Sequence, residues 1–445
     1  MPRWPGTAVT PLLLALLTAA SASRAAQPGY EISLGVVESD NVQRTPNGTH
    51  NTIIEQELNV TWHDQSSRLT ADVDADLSHL TYIPRAFSDQ VIGNLIAQAR
   101  LNLVDQALFW NFSDNFGQGI TDPLAAITPE NRENINYFNT GPEALLPVGG
   151  ENLLDVRANY GKTSYEKSLL DSNRYGGGVG LIHRLSEQTD VSLNLQDQRI
   201  EYLYGQLNPD YTSQEAFLHV DAKGSRTTLG ADVGYGRVVL PNSTNGNVTA
   251  RLELTRKLSA GSTMSFSFGR EYSDAGAAFQ IAQVLNGANL NTQQTVQTTG
   301  PFTMVYETGG WNFARNRTSL GISVAHFKDT YVEATNLDDS HTDIAANLSR
   351  RLTPTLQATL AGQYTRQNFA TTLGSAKLYT GDARLSWQTS RRITMAFDYQ
   401  YQKRASDLAN TGYKENTIWL SIGYGRAAEL PPGVAAPPTA HPITY

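Results

Sequence analysis

The stretch LTADVDADLS, residues 69–78, alternates apolar and polar side chains at every position. Its odd-numbered residues, from Leu69 to Leu77, are all apolar, and its even-numbered residues include Asp72, Asp74 and Asp76. A period of two predicts a β-strand, because successive side chains leave opposite faces of the pleat. The strand therefore has one apolar and one acidic face, a pattern that soluble β-sandwiches also show.

The same alternation recurs from Tyr30 to Tyr424, and tight turns alternate with longer loops. The longest predicted loops are Gly117 to Arg132 and Asp274 to Asn291. Segments of about 10 residues suffice for a tilted strand to cross a bilayer, where a sheet must close on itself. The pattern predicts an all-β, up-and-down transmembrane antiparallel β-barrel of about 20 strands (about 18 to 22), with short periplasmic turns and longer extracellular loops. A soluble sandwich or solenoid is the alternative, but it gives no reason for the alternation of turns and loops.

Within this pattern, one apolar run is expected to break into two strands. Phe302, Met304 and Tyr306 are expected on the apolar outer face, before a turn at Gly309-Gly310. No helical period of 3.6 holds over any long window of the chain.

Aromatic residues near the predicted strand ends indicate interfacial girdles, as in membrane barrels. The alternative is that aromatic residues simply suit strands. The predicted girdle comprises Tyr30, Trp62, Tyr82, Trp110, Tyr160, Tyr235, Trp311, Trp387 and Tyr424.

The composition and the N-terminus limit the class of protein. The 445 residues carry a net charge of −8 and no cysteine. The absence of cysteine excludes disulfides, thiolate metal sites and covalently attached haem, and the acidic balance argues against nucleic acid as the main partner. A short apolar core at Leu12 to Leu17, followed by small residues, predicts a signal peptide over 1–26. The barrel is then expected over 27–426, and a flexible Pro/Ala-rich tail over 427–445; a buried N-terminal helix is the alternative to the signal peptide.

If the apolar faces meet lipid, the polar faces line a lumen. The candidate acidic patch comprises Glu31, Glu55, Glu57, Asp72, Asp74 and Asp76. A more basic wall opposite is expected from Arg100, Arg157, Arg184, Arg251 and Arg384. Such a field would select the solutes that enter; alternatively, these charges pair across the wall and only solvate it.

No sequence motif of an enzyme is present: there is no G-x-S-x-G, H-E-x-x-H, phosphate loop or dinucleotide fingerprint. We therefore assign no catalytic, cofactor-binding or metal-binding residues and expect no cofactor. His63, His183, His219 and His326 are scattered and are expected on the wall or surface. A pair of lumen carboxylates suited to glycoside hydrolysis leaves an outer-membrane hydrolase as an alternative.

The chain resembles one family of barrels. The likeness rests on the first strand, which ends in Glu38-Ser39-Asp40-Asn41-Val42, and on the hairpins Leu181 to Gln198 and Leu254 to Phe268. It resembles the outer-membrane β-barrel porins encoded beside exopolysaccharide and exosortase (PEP-CTERM) systems. The resemblance implies a Gram-negative outer membrane and a role in polysaccharide export or surface assembly. It brings no catalytic residues.

We therefore expect a porin-like conduit linked to exopolysaccharide export or cell-surface assembly. A scaffold barrel that holds a partner protein or secretion complex is the alternative. The expected partners are outer-membrane lipid, the outer-membrane assembly machinery, and exopolysaccharide or its export machinery.

Overall fold

The computed structural model describes residues 28–205, 208–286, 300–333, 335–369, 374–407 and 411–426. The predicted signal peptide (1–26) and tail (427–445) lie outside the described residues. Twenty antiparallel strands dominate the described chain, together with one α-helix and two short 3-10 turns. No helix among the described residues is both long and apolar enough to cross a membrane.

The strands follow the chain order, and each pairs with the next. They are β1 (Gly29–Ser39), β2 (Asn51–Gln65), β3 (Leu69–Ile83), β4 (Gln90–Val104), β5 (Leu108–Ile120), β6 (Arg132–Gly149), β7 (Asn152–Tyr165), β8 (Ser172–Ser186), β9 (Thr189–Tyr202), β10 (Tyr211–Lys223), β11 (Thr227–Val239), β12 (Thr244–Ser259), β13 (Ser262–Ser273), β14 (Phe302–Arg315), β15 (Thr318–Tyr331), β16 (Asp339–Arg351), β17 (Leu356–Asn368), β18 (Ser375–Gln388), β19 (Ile393–Ser406) and β20 (Tyr413–Arg426). Helix α1 (Ala275–Asn286) lies between β13 and β14, and the 3-10 turns are Pro129–Asn131 and Thr335–Leu337.

The first and last strands close the sheet. β1 pairs with β20 from Tyr30 opposite Arg426 to Ser39 opposite Thr417. The result is a closed antiparallel barrel of 20 strands without a free edge. The predicted fold class is confirmed, and the strand number is the expected one.

The connections differ between the two ends of the barrel. The short-turn end has connections of two to four residues, such as 150–151 between β6 and β7. The connections at the long-loop end range from residues 240–243, between β11 and β12, to residues 274–301, between β13 and β14. We number the long-loop-end connections in chain order, so that loop 1 is 40–50, loop 3 is 121–131 and loop 7 is 274–301. In outer-membrane barrels the short turns face the periplasm and the long loops face outward.

Most of the outer face is apolar and exposed. The ladder pairs Leu34, Ile422 and Met395 on one face across three neighbouring strands, and all three side chains are exposed. The outer face of β2–β5 differs, because its apolar side chains are buried. That buried cluster comprises Val60, Trp62, Ala71, Val73, Ala75, Leu95, Ala97 and Phe116. Ala71, Val73 and Ala75 of the opening stretch are thus not the freely exposed residues that simple alternation predicts.

The alternation changes face towards the long-loop end. In β3 the inner face reads Asp72, Asp74, Asp76 and then turns apolar at Leu80 and Tyr82, which are 1% and 2% exposed. Strands of 11 to 18 residues exceed the roughly 9–11 that span a bilayer. The strand ends therefore continue beyond the lipid, where the outer face is exposed to water and the inner face is packed against other side chains in the lumen.

This change of face corrects two predictions. Tyr82 was expected in the outer aromatic girdle, but it packs inside with Val37, Ile53 and Trp419. Trp62 does lie on the outer face as expected, opposite Val73, within the buried cluster of β2–β5. No turn occurs at Gly309-Gly310, because β14 runs straight through both glycines.

The second correction has the same cause. Trp311 lies opposite Met264 on the outer face, whereas Tyr306, an odd number of positions away, faces the lumen. Phe302, Met304 and Tyr306 are accordingly buried inside the barrel.

Candidate functional site in the barrel lumen

The six predicted acidic residues share the inner face of β1–β3. Glu31 lies opposite Asn59, which lies opposite Asp76, and Asp72 lies opposite His63. Hydroxyl and imidazole groups line the same face. Ser33 donates to Glu57 at 2.8 Å and Ser78 to Glu55 at 2.9 Å. His63 Nδ1 is 2.8 Å from Asp72 Oδ1.

The five predicted basic residues all have carboxylate partners. Arg251 is the centre of a network, with Glu215 at 2.7 Å, Glu271 at 2.9 Å and Asp232 at 3.2 Å. The other four pairs are Arg100–Glu143, Arg157–Asp155, Arg184–Asp190 and Arg384–Asp398, at 3.1–3.6 Å. Because each arginine faces an acid, the charge of this wall is largely offset locally.

Helix α1 occupies the lumen. On one side Phe279 packs against Ile135, Tyr137 and Tyr165 of β6 and β7. On the other side Ala278, Ile281 and Leu285 pack against the inner faces of β14 and β15, at Phe302, Met304, Tyr306, Phe327 and Tyr331. These two sets of strands lie eight positions apart in a ring of 20, so the helix is wedged between nearly opposite walls.

The first turn of α1 is fixed by a buried ionic contact. Asp274 Oδ1 accepts from the backbone N–H of Ala277 at 3.0 Å, which makes Asp274 the N-cap of the helix. The same carboxylate is 2.5 Å from Arg174 of β8 and accepts a hydrogen bond from the Tyr211 hydroxyl of β10. Burial alone would raise the pKa of Asp274, but Arg174 and these hydrogen bonds hold that pKa below its ordinary value. We call this cluster of Asp274, Arg174 and Tyr211 the latch.

Loops 1 and 3 fill the lumen on another side. Arg44 of loop 1 is buried, with Nε 2.8 Å from Glu415 of β20, and it donates to the carbonyl of Ile127 in loop 3. Arg404 of β19 donates to the carbonyl of Pro123 at 3.0 Å. Loop 3 leaves the wall between β5 and β6, so these contacts join it to β19 and β20, five to seven positions away in the ring. Burial lowers the pKa of Arg44, but Glu415 more than offsets this and holds the pKa above its ordinary value.

Below α1 lies a polar cavity of about 770 Å³. Its ceiling includes Ala277 and Ile281 of the helix, and its wall reaches Asp72 and Arg100 near the short-turn end. Amide side chains line much of the remaining wall: Gln98, Asn111, Asn139, Asn159, Gln196 and Gln198. The arrangement offers many hydrogen-bond donors and acceptors beneath a closed upper lumen.

Loops 3 and 7 were expected from their length, but the residues that hold them in the lumen were not predicted. Helix α1 was not predicted, although its Ala-rich sequence behind an Asp is a recognisable start signal. Arg44, Arg174 and Arg404 carry no motif, because their partners lie far away in the chain. Only the register of the closed barrel brings them together.

No group of three or more His, Asp or Glu side chains within the described ranges could hold a metal ion. The histidines have separate partners, such as His219 with Asp232 at 2.5 Å and His326 with Thr342 at 2.9 Å.

Comparisons with known proteins agree with a membrane barrel. The sequence profile of the family described as "Putative beta-barrel porin 2" matches residues 311–425, from β14 to β20. The closed barrel, its apolar outer face and this match lead to one conclusion. The protein is a porin-like β-barrel of the Gram-negative outer membrane. Such a barrel favours a non-enzymatic role.

Solved outer-membrane structures resemble the chain at low identity. The FrpB iron transporter from Neisseria meningitidis (F5-1 variant) is 11% identical, with 89% of this chain and 82% of that chain covered, at a TM-score of 0.42. The siderophore receptor PirA from Pseudomonas aeruginosa is 12% identical, with 91% and 81% covered, at 0.43. OccK2 (OpdF) from Pseudomonas aeruginosa, in complex with glucuronate, is 10% identical, with 90% and 98% covered, at 0.37. Resemblances this distant do not inform function, and no curated protein matches the chain in sequence.

Proposed function

We propose that the barrel is a gated conduit for hydroxyl-rich solutes, and that its physiological cargo is polysaccharide on its way to the cell surface. The observation that carries the proposal is the polar cavity of about 770 Å³ beneath α1. This volume lies within the roughly 300–1,000 Å³ typical of small-molecule sites. Closely spaced amide and carboxylate groups suit the hydroxyls of a sugar, each of which both donates and accepts hydrogen bonds.

The position of the cavity supports export rather than uptake. Loops 1 and 3 and helix α1 fill the lumen towards the long-loop end, whereas the cavity wall reaches residues near the short turns. A solute arriving from the periplasm would enter the cavity first and would meet α1 as the barrier. The paired arginines leave little net positive field in the wall, which suits a neutral or weakly charged cargo. The acidic face of β1–β3 is then expected to disfavour strongly anionic solutes.

The proposal is tested in two steps. In planar bilayers we expect low conductance from the intact protein and stable, larger steps after deletion of residues 275–286. In cells, loss of the gene should lower the extracellular polysaccharide and leave polymer in the periplasm. Unchanged secretion with loss of surface attachment would instead support a scaffold, and an unchanged amount and attachment of polysaccharide would exclude that cargo.

A further inference from the structure

The outer face of the barrel carries an uneven distribution of charge near the long-loop end. Towards that end, β15–β20 place five basic residues on the outer face: Lys328, Arg366, Lys377, Lys403 and Lys414. The acidic residues of these six strands fall on the inner face, as with Asp382, Asp398 and Glu415. On other strands the outer face mixes both signs, for example Arg199 beside Glu201.

Two of the cross-strand pairs in this sector are pairs of like charge. Arg366 lies directly opposite Lys377, and Lys403 lies directly opposite Lys414. Directly opposed residues have Cβ atoms about 4.5–5.5 Å apart, and like charges at that distance destabilise a sheet. Within the part of the chain that the structure describes, Lys377, Lys403 and Lys414 form no ion pair, although the exposed Asp407 interacts electrostatically with Lys377 and Arg366.

The patch stands at the level where lipid meets water. Tyr364 and Tyr379 lie in the same lateral row as Lys403 and Lys414, with the two rings 5.1 Å apart. The rows nearer the short turns become apolar, at Tyr399 and then Phe397. Tyrosine at the border of an apolar band marks the headgroup level of a membrane.

We infer that Arg366, Lys377, Lys403 and Lys414 form a docking surface for the phosphorylated headgroup of an outer-leaflet glycolipid. The charges are complementary, because a phosphate bound between the opposed cations would offset the repulsion that they exert on one another in the lipid-free barrel. The tyrosine row and the apolar rows beneath it receive the acyl chains. Lys328, two strands away, extends the same positive field.

The test measures the binding of bis-phosphorylated lipid A to the folded protein in neutral detergent micelles. Native mass spectrometry and the shift in Tm are the two readouts of binding. Each cation near a headgroup contributes about fivefold in affinity, so we expect about 25-fold weaker binding for K403Q/K414Q and a larger loss for the fourfold glutamine variant. Dephosphorylated lipid A and inorganic phosphate should give little shift. The control variant is R199Q/R237Q, which removes two outward arginines on β9 and β11.

Neutralisation relieves repulsion, so the glutamine variants should fold, and their Tm without lipid should equal or exceed that of the parent. The inference is overturned if the fourfold variant binds phosphorylated lipid as the parent does. It is also overturned if the control variant loses as much affinity, or if removal of the lipid phosphates leaves binding unchanged. A Tm shift with inorganic phosphate alone would assign the patch to free anions instead.

Discussion

Replacing Asp274 with alanine should release helix α1 from the lumen. The change removes the N-cap, which contributes about 1 kcal/mol, and it leaves Arg174 buried without its carboxylate. Removing one partner of a buried pair costs about 3–5 kcal/mol. Since 1.4 kcal/mol is a factor of ten, a loss of even about 3 kcal/mol raises the ratio of open to closed barrels by about a hundredfold.

The assay is conductance of the purified protein in planar bilayers, after gel mobility has confirmed that each variant is folded. We expect rare openings in the parent and a mostly open state in D274A. D274N separates the two contributions, because asparagine keeps the N-cap acceptor but loses the charge that faces Arg174; its open fraction should lie between the two. D407N is the matched control, since Asp407 also accepts from backbone and hydroxyl groups, at Ser375, but on an exposed loop. If D274A conducts no more than the parent while deletion of residues 275–286 opens the barrel, the latch does not hold the helix.

Three further predictions follow from the same contacts. The pKa of Asp274 is lowered in the folded state, so the contribution of Asp274 to holding α1 in the lumen is full above the ordinary carboxyl pKa of about 4. That contribution is lost as the pH falls through the lowered pKa. Conductance should therefore stay low from pH 7 to about 4 and rise only below pH 4. R44Q should loosen loops 1 and 3 together, because Arg44 joins Ile127 to Glu415, and protease should then cut within 121–131 at rates that leave the parent intact. In a barrel lacking residues 275–286, changing the inner-face Asp72 and Asp74 to asparagine should reduce selectivity for cations, measured as a smaller reversal potential in a salt gradient. An unchanged reversal potential would show that these carboxylates are hydrated groups of the wall that do not select ions.

The sequence was enough to predict the barrel, because lipid imposes one rule on every strand. Leu69 to Ser78 shows that rule, and its repetition predicted both the closure and the strand number. The rule fails at Leu80 and Tyr82, where the strands extend beyond the bilayer. There the inner face packs against loops and the outer face is exposed to water. Alternation alone does not show where that boundary lies.

The lumen was less predictable than the wall. The alternation of side chains along each strand was enough to predict that these charged residues point inward. The partner of Arg251 or of Arg174, however, depends on which strands are neighbours and in what register they pair. Arg174 and Asp274 are 100 residues apart in the chain and 2.5 Å apart in space. Helix α1 was missed because its 12 residues are stabilised by contacts with opposite walls, and only a weak local signal marks it.

The most direct test of the account is a thiol crosslink between α1 and the wall, since the chain contains no cysteine of its own. A Cβ atom built on Gly117 of β5 would lie 2.3 Å from Gln283 Nε2 of the helix, so G117C and Q283C should join through a short bifunctional crosslinker in intact outer membranes. G35C with S421C is the reference pair across the closure of the barrel, where the two Cβ atoms are 3.6 Å apart, within the range of about 3.5–4.5 Å that a disulfide needs. The account predicts efficient crosslinking at both pairs and loss of the G117C–Q283C product alone when D274A is added. If G35C and S421C crosslink but G117C and Q283C do not, α1 does not cross the lumen, and this result would contradict the gated conduit.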